Sequence, residues 1–157
     1  MVEISFEFKE KLDSTIGGEM HSYCFQCGAC VGDCPSARYS KRGFNPRLIV
    51  LQTILGMEEE LLKEGSIVWE CTNCYNCYER CPQDVRPVEV ITALKNMAAK
   101  RKTNPEDVQS MVKTVETRGM TTVFTELVDK RRTALGLEKL KETPVSDIHK
   151  LLAEEER

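Results

Sequence analysis

Two short stretches concentrate the chemistry of this chain. Residues 24–35 read CFQCGACVGDCP and residues 71–82 read CTNCYNCYERCP. Both obey C-x2-C-x2-C-x3-C-P, so the candidate ligands are Cys24, Cys27, Cys30 and Cys34, then Cys71, Cys74, Cys77 and Cys81. These are all eight cysteines of the chain. Three thiolates at three-residue spacing suit a tight loop around three irons of a [4Fe–4S] cube. The fourth cysteine is already leaving that loop. The proline after it turns the chain away, because its ring fixes φ and removes a donor. In two-cluster proteins with this run the departing cysteine ligates the other cube. The expected assignment is therefore crossed. Cys24, Cys27 and Cys30 would hold cluster 1 with Cys81, and Cys71, Cys74 and Cys77 would hold cluster 2 with Cys34. Every iron then has a protein ligand and none is open to substrate. The pattern implies electron transfer, with no catalytic residue.

Other uses of cysteine fit less well. Four-cysteine zinc sites usually come as two separated pairs. Disulfide frameworks belong to short exported chains, and the N-terminus MVEISFEFKEK is acidic where a signal peptide is basic and lacks an apolar core. No apolar run approaches a membrane span; the longest, near 48–55, is interrupted by Gln52 and Thr53. The expectation is a soluble cytoplasmic protein without membrane insertion. A formal charge of -3, with scattered basic residues and no aromatic platform, excludes a nucleic-acid binder. Two oxidised four-thiolate clusters, at about −2 each, would take the charge to about −7.

The elements that position these loops read as helices. Asn45 is a good N-cap with Pro46 at the first helical position, and Leu48, Leu51, Ile54 and Leu55 follow at helical spacing before Gly56. A short helix through Leu61 and Leu62 would end at Gly65. Pro87 opens another, with Val88, Ile91, Leu94 and Ala98 as its stripe, Glu89 in its first turn and Lys100, Arg101 and Lys102 at its end. The fold class is mainly α: an α-helical ferredoxin with two cysteine loops. Its domains are expected as an N-terminal docking segment (1–20), the ferredoxin domain (21–102) and a helical extension (103–157). In the extension, Asn104-Pro105-Glu106-Asp107 caps a helix bearing Val108, Met111, Val112 and Val115 up to Gly119. A second helix bears Val123, Phe124, Leu127, Val128 and Leu135 up to Gly136, and a third near Ser146 bears Ile148, Leu151 and Leu152. The segment ISFEF alternates like a short strand.

Several neighbours of the loops invite a role. His21 is expected to be an ordinary polar loop residue. Trp69, Tyr23, Phe25, Tyr75 and Tyr78 are expected to shield the clusters, since solvent exposure tunes their potentials. Arg38, Arg42, Arg47 and Arg80 are weighed as neutralising charges against a plain solvated surface. His149 has no metal-site context.

The stretches YCFQCGACVGDCPSARYS, FNPRLIVLQTILGMEEELL and WECTNCYNCYERCPQDVRPVEVI closely resemble the iron–sulfur C subunit of heterodisulfide reductase from methanogenic archaea. The likeness covers about residues 20–95 and includes Asn45-Pro46-Arg47, which generic ferredoxins do not share. It implies two [4Fe–4S] clusters held by the eight cysteines above. It implies electron transfer from a flavin-containing A subunit to a catalytic B subunit that reduces the coenzyme M–coenzyme B heterodisulfide. It further implies flavin-based electron bifurcation, with a hydrogenase or formate dehydrogenase as donor. A flavin signature and the cysteine-rich domains of the catalytic subunit are not found, which suits a relay subunit. An iron–sulfur subunit of another anaerobic dehydrogenase, a free dicluster ferredoxin and a zinc-bound interaction module remain as alternatives.

Overall fold

The computed structural model describes residues 4–121, 125–138 and 145–155. The chain divides into two compact units, Met1–Pro105 and Glu106–Arg157.

In the first unit, α1 (Phe6–Asp13) occupies the segment expected as a strand. A lone strand leaves its backbone groups unpaired, whereas a helix satisfies its own. Ser5 supplies the cap, its Oγ accepting from the Phe8 N–H at 3.1 Å. Phe8 and Leu12, one turn apart, are buried on the inward face. The segment is pinned where the Ser5 N–H donates to the Gly56 carbonyl at 2.8 Å. Gly56 permits this approach, because its φ is +70° and a Cβ there would lie 2.5 Å from the Ser5 carbonyl oxygen.

Two short helices, α2 (Ala29–Gly32) and α3 (Pro35–Tyr39), follow the first cysteines, and α4 (Pro46–Ile54) and α5 (Glu58–Leu62) lie between the motifs. α6 (Asn76–Glu79) sits in the second motif and α7 (Pro87–Lys100) follows it. Asn45 caps α4 as expected, its Oδ1 accepting from the Leu48 N–H at 3.2 Å. The buried face of α4 differs from the expected stripe. Pro46, Ile49, Val50 and Thr53 face inward, while Leu48 and Leu55 are exposed. This helix is apolar nearly all round, so its sequence does not select a face; packing against α7 does. α7 buries Val88, Ile91, Leu94 and Ala98, the expected stripe, with Val90, Ala93 and Met97 widening it. α5 packs on both α4 and α7 through Leu61 and Leu62. The core formed by α1, α4, α5 and α7 is the platform on which the cysteine loops sit.

His21 is not a loop residue. It is fully buried in a 3-10 turn (His21–Tyr23), with Nδ1 2.9 Å from the Gly18 carbonyl and 3.2 Å from Asp13 Oδ1. It joins the end of α1 to the start of the first motif.

The second unit holds α8 (Glu106–Arg118), α9 (Glu126–Ala134) and α10 (Val145–Glu155). The helices before Gly119 and Gly136 stop where expected, and both glycines take positive φ, +70° and +72°. Val123 and Phe124 lie outside the described residues, as does the side chain of Leu152. No residue described in this unit is buried. His149 Nε2 lies 3.0 Å from the Glu116 carbonyl and so ties α10 to α8.

Gly56→Ala should cost about 1–3 kcal/mol through backbone strain and the close Ser5 carbonyl. The expected readout is a lower Tm with faster amide exchange at Ser5, while exchange in the middle of α7 is unchanged.

Candidate metal centres

The two cysteine loops follow one local course. Each is entered through a 3-10 turn, His21–Tyr23 before Cys24 and Ile67–Glu70 before Cys71. The second residue after the first cysteine is left-handed in both: Gln26 at φ +56° and Asn73 at φ +51°. Two residues later the backbone is left-handed again, at Gly28 (+86°) and Tyr75 (+64°), and each of these opens a short helix, α2 or α6. Left-handed backbone costs a non-glycine residue about 1–2 kcal/mol. Gln26, Asn73 and Tyr75 keep it because the turns bring three cysteines of one loop onto a single cavity. Such strain persists where the surroundings over-determine it.

The exits differ. Pro35 starts α3 directly, with the Cys34 Sγ accepting from the Ala37 N–H at 3.4 Å. Pro82 leads through left-handed Asp84 and Arg86 into α7. Both nitrogens of the Arg86 fork reach the Asp84 carboxylate, at 3.1 and 3.0 Å, and hold it below the usual carboxylate range. Arg86 also lies 5.3 Å over the Tyr78 ring. The loops are locked together where α2 packs on α6. The Asn76 side-chain amide donates to the Asp33 carbonyl at 3.0 Å, and Arg80 pairs with the Asp33 carboxylate.

This packing sorts the sulfurs into two sets. One cavity is lined by Cys24, Cys27, Cys30 and Cys81, together with Phe25, Arg47 and Val50. The other is lined by Cys34, Cys71, Cys74 and Cys77, together with Phe44, Tyr75 and Ile91. Each set therefore takes three cysteines from one loop and one from the other. In each set one cysteine, Cys27 or Cys74, is exposed. Cys30 of the first set lies near enough to Cys77 of the second to help raise its pKa.

The donor set fits iron–sulfur clusters. Burial pushes the Cys30 thiol up to about 11, with Cys24 adding to it. Burial pushes Cys77 up to about 12, with Cys71 adding to it. Cys71 is also raised by burial, against the pull of the Asn73 N–H and Lys95. Thiolate is the ligand form, so these cavities hold charge only with cationic metal present. Four thiolates on one zinc would stand about 3.8 Å apart, from a Zn–S bond near 2.3 Å. Among the described residues no three His, Cys, Asp or Glu side chains are grouped so as to hold a single ion. The sulfurs surround a cavity instead, as ligands on separate irons do. Donors are already aimed at them: Gln26 Nε2 lies 3.2 Å from Cys24 Sγ, and the Val85 N–H lies 3.3 Å from Cys81 Sγ.

The shielding residues divide. Phe25 and Tyr75 line the cavities but remain 74% and 50% exposed, and Tyr23 is exposed as well, so these rings are rims and not lids. Trp69 packs against the core, with Lys95 Nζ 5.8 Å from its ring. Of the arginines, Arg47 lines the first cavity, Arg42 pairs with Glu70 at 3.3 Å, and Arg38 and Arg80 line a polar cleft beside Cys34. Sequence reasoning alone missed Lys95. Its Nζ donates to the Cys71 carbonyl at 2.8 Å and to Asn73 Oδ1 at 2.9 Å. Burial pulls its pKa down, opposed by Cys71. The available signal was its place four residues after Ile91, at the edge of the apolar stripe.

A family model described as a 4Fe–4S dicluster domain matches residues 20–85. The chain is similar to the C subunit of an H(2):CoB-CoM heterodisulfide,ferredoxin reductase from Methanothermobacter thermautotrophicus. The two are 41% identical over 97 residues, which is 62% of this chain and 50% of the relative. It is similar to the iron–sulfur C subunit of the CoB–CoM heterodisulfide reductase of Methanopyrus kandleri, 45% identical over 78 residues, 50% of this chain and 39% of the relative. It is also similar to the C subunit of a ferredoxin:CoB-CoM heterodisulfide reductase from Methanosarcina mazei, 30% identical over 120 residues, 76% of this chain and 72% of the relative. The chain thus spans half or less of the length of the first two relatives and most of the third. With the dicluster domain and eight cysteines, its cofactors are two [4Fe–4S] clusters.

Removing the iron should release the strained loops while the helical platform holds. Hydrogen exchange compared between loaded and iron-stripped protein should show protection lost across 24–34 and 71–86, with α7 from Val90 to Ala98 still protected. Uniform loss across both regions would show that the clusters hold the whole unit.

Proposed function

The chain belongs to the C-subunit family of heterodisulfide reductases, and from that premise we propose that it is the electron relay of a heterodisulfide reductase complex. Electrons enter from a flavin-containing A subunit and leave to a catalytic B subunit, which reduces the coenzyme M–coenzyme B heterodisulfide of methanogenesis. The larger assembly couples this to electron bifurcation and draws on a hydrogenase or a formate dehydrogenase. The proposed location is cytoplasmic; among the described residues no helix is long and apolar enough to cross a membrane.

The observation that carries this reading is the pair of interlocked four-thiol cavities, each with one exposed cysteine. Bound clusters supply one-electron storage whose potential follows net charge, hydrogen bonds to sulfur and exposure. The protein's part is spacing. The Asp33 ties to Asn76 and Arg80 hold the two sites close, and Cys27 and Cys74 leave each site an exposed edge for a partner's redox group. With Cys24, Cys27, Cys30 and Cys81 on cluster 1, and Cys71, Cys74, Cys77 and Cys34 on cluster 2, every iron is capped, so the relay has no active site of its own. The N-terminal segment, 1–20, is read as a docking element. Phe8 and Leu12 anchor it, while Phe6 and Ile16 stay exposed, at 75% and 93%. The extension from 103 onward is read as a second contact surface.

Purified anaerobically, the protein should be brown and hold about eight iron and eight sulfide. Zinc in their place would exclude the relay. Cys34→Ser should damage the cluster whose other ligands are Cys71, Cys74 and Cys77 and spare its neighbour, as followed by EPR and Mössbauer spectra. Damage confined to the Cys24, Cys27 and Cys30 site would refute the crossed ligation. Native anaerobic pull-down should recover a flavoprotein and a cysteine-rich protein, whereas a free monomer would favour a shuttling ferredoxin.

A further inference from the structure

The two sites share a loop design but not a charge environment. Beside the second site, Lys95 of α7 donates to the Cys71 carbonyl at 2.8 Å and to Asn73 Oδ1 at 2.9 Å. Lys95 is half-buried and its Nζ lies 5.8 Å from the Trp69 ring centre, so its charge is held in place and partly shielded from water. Nearby, Glu70 pairs with Arg42 and Asp33 with Arg80, while Arg38 and Glu79, which line the cleft beside Cys34, are exposed to solvent. At the first site Asp84 is paired with Arg86, and among the described residues the one cation lining the cavity is Arg47, which is exposed. A charge in a medium of lower effective dielectric acts several times more strongly than one bathed in water and salt.

We propose that Lys95 sets the direction of the relay: its ammonium, fixed at the Cys71 carbonyl, raises the reduction potential of the second-site cluster above that of the first. The inference rests on the relay reading and its crossed ligand sets. Adding an electron makes a cluster more negative, so a fixed neighbouring cation stabilises the reduced form, and net charge is among the determinants of cluster potential. In the step itself one electron leaves the first-site cluster, which is oxidised by one, and enters the second-site cluster, which is reduced by one. No bond breaks and no proton moves. Asn73 is a positioning residue here. Its left-handed backbone, at φ +51°, places the amide that accepts the second Lys95 hydrogen bond.

The test is redox-poised EPR on eight-iron protein, comparing the natural chain with Lys95→Met and Lys95→Arg. The second-site potential should fall in Lys95→Met, narrowing or inverting the gap, while the first-site potential stays put. Lys95→Arg should keep most of the gap. No shift in fully loaded Lys95→Met, or equal shifts at both sites, would overturn the proposal. Should Lys95→Met fail to load iron, the natural chain decides. The signal that appears first on reduction should be the one altered by Cys74→Ser; if Cys27→Ser alters it instead, the proposal is wrong. An eight-iron protein with that reversed order defeats this inference alone, whereas zinc in place of iron defeats the relay reading with it.

Discussion

Sulfur can be buried as a thiol at little cost, but as a thiolate only beside a cation. Eight cysteines gathered into two partly buried cavities therefore commit this chain to metal. Burial raises the Cys30 and Cys77 thiols above their ordinary range, as expected of cavities that hold charge poorly by themselves. Much of the first unit answers that constraint. α4 and α7, packed face to face, hold segments far apart in sequence at one place, and α5 and α1 close the platform beneath them. The ties between the loops, Asn76 to Asp33 and Arg80 to Asp33, keep the two cavities in register.

The two sites share one loop design, and asymmetry in their surroundings tells them apart. The left-handed positions correspond pair by pair, Gln26 with Asn73 and Gly28 with Tyr75. The exits do not correspond. Cys34 caps the short helix α3, whereas Cys81 passes through the strained Asp84–Arg86 corner into α7, the longest helix described. That corner puts the start of α7 beside one site and its middle, with Lys95, beside the other. Two like-built sites thus acquire unlike surroundings, the condition for an electron to prefer one of them.

The second unit is of a different kind. Its described helices bury no residue, and Met111, Val112, Leu127 and Leu135 stay exposed. The dicluster match, residues 20–85, lies wholly within the first unit. The cysteines and the dicluster match thus belong to the first unit, while the second adds helices with no buried described residue.

The candidate ligands were legible in the sequence because they are marked by side-chain type and by spacings of two and three residues, which are local. The caps at Asn45 and Pro46, the α7 stripe and the glycine stops at Gly119 and Gly136 were legible for the same reason. The ISFEF segment was not, because alternation over five residues fits a strand as well as a capped helix until Gly56 supplies the hydrogen-bond partner. The buried face of α4 was not, because an all-round apolar helix has no face until α7 chooses one. His21 and Lys95 were hidden most completely. A polar residue's burial depends on partners distant in sequence, Asp13 and Gly18 for one, Cys71 and Asn73 for the other. Sequence alone thus marked the eight candidate ligands and predicted how they divide between two sites. Only the tertiary structure gathered each set of four around a cavity and set Lys95 against the Cys71 carbonyl, because both depend on contacts between segments that spacing does not encode.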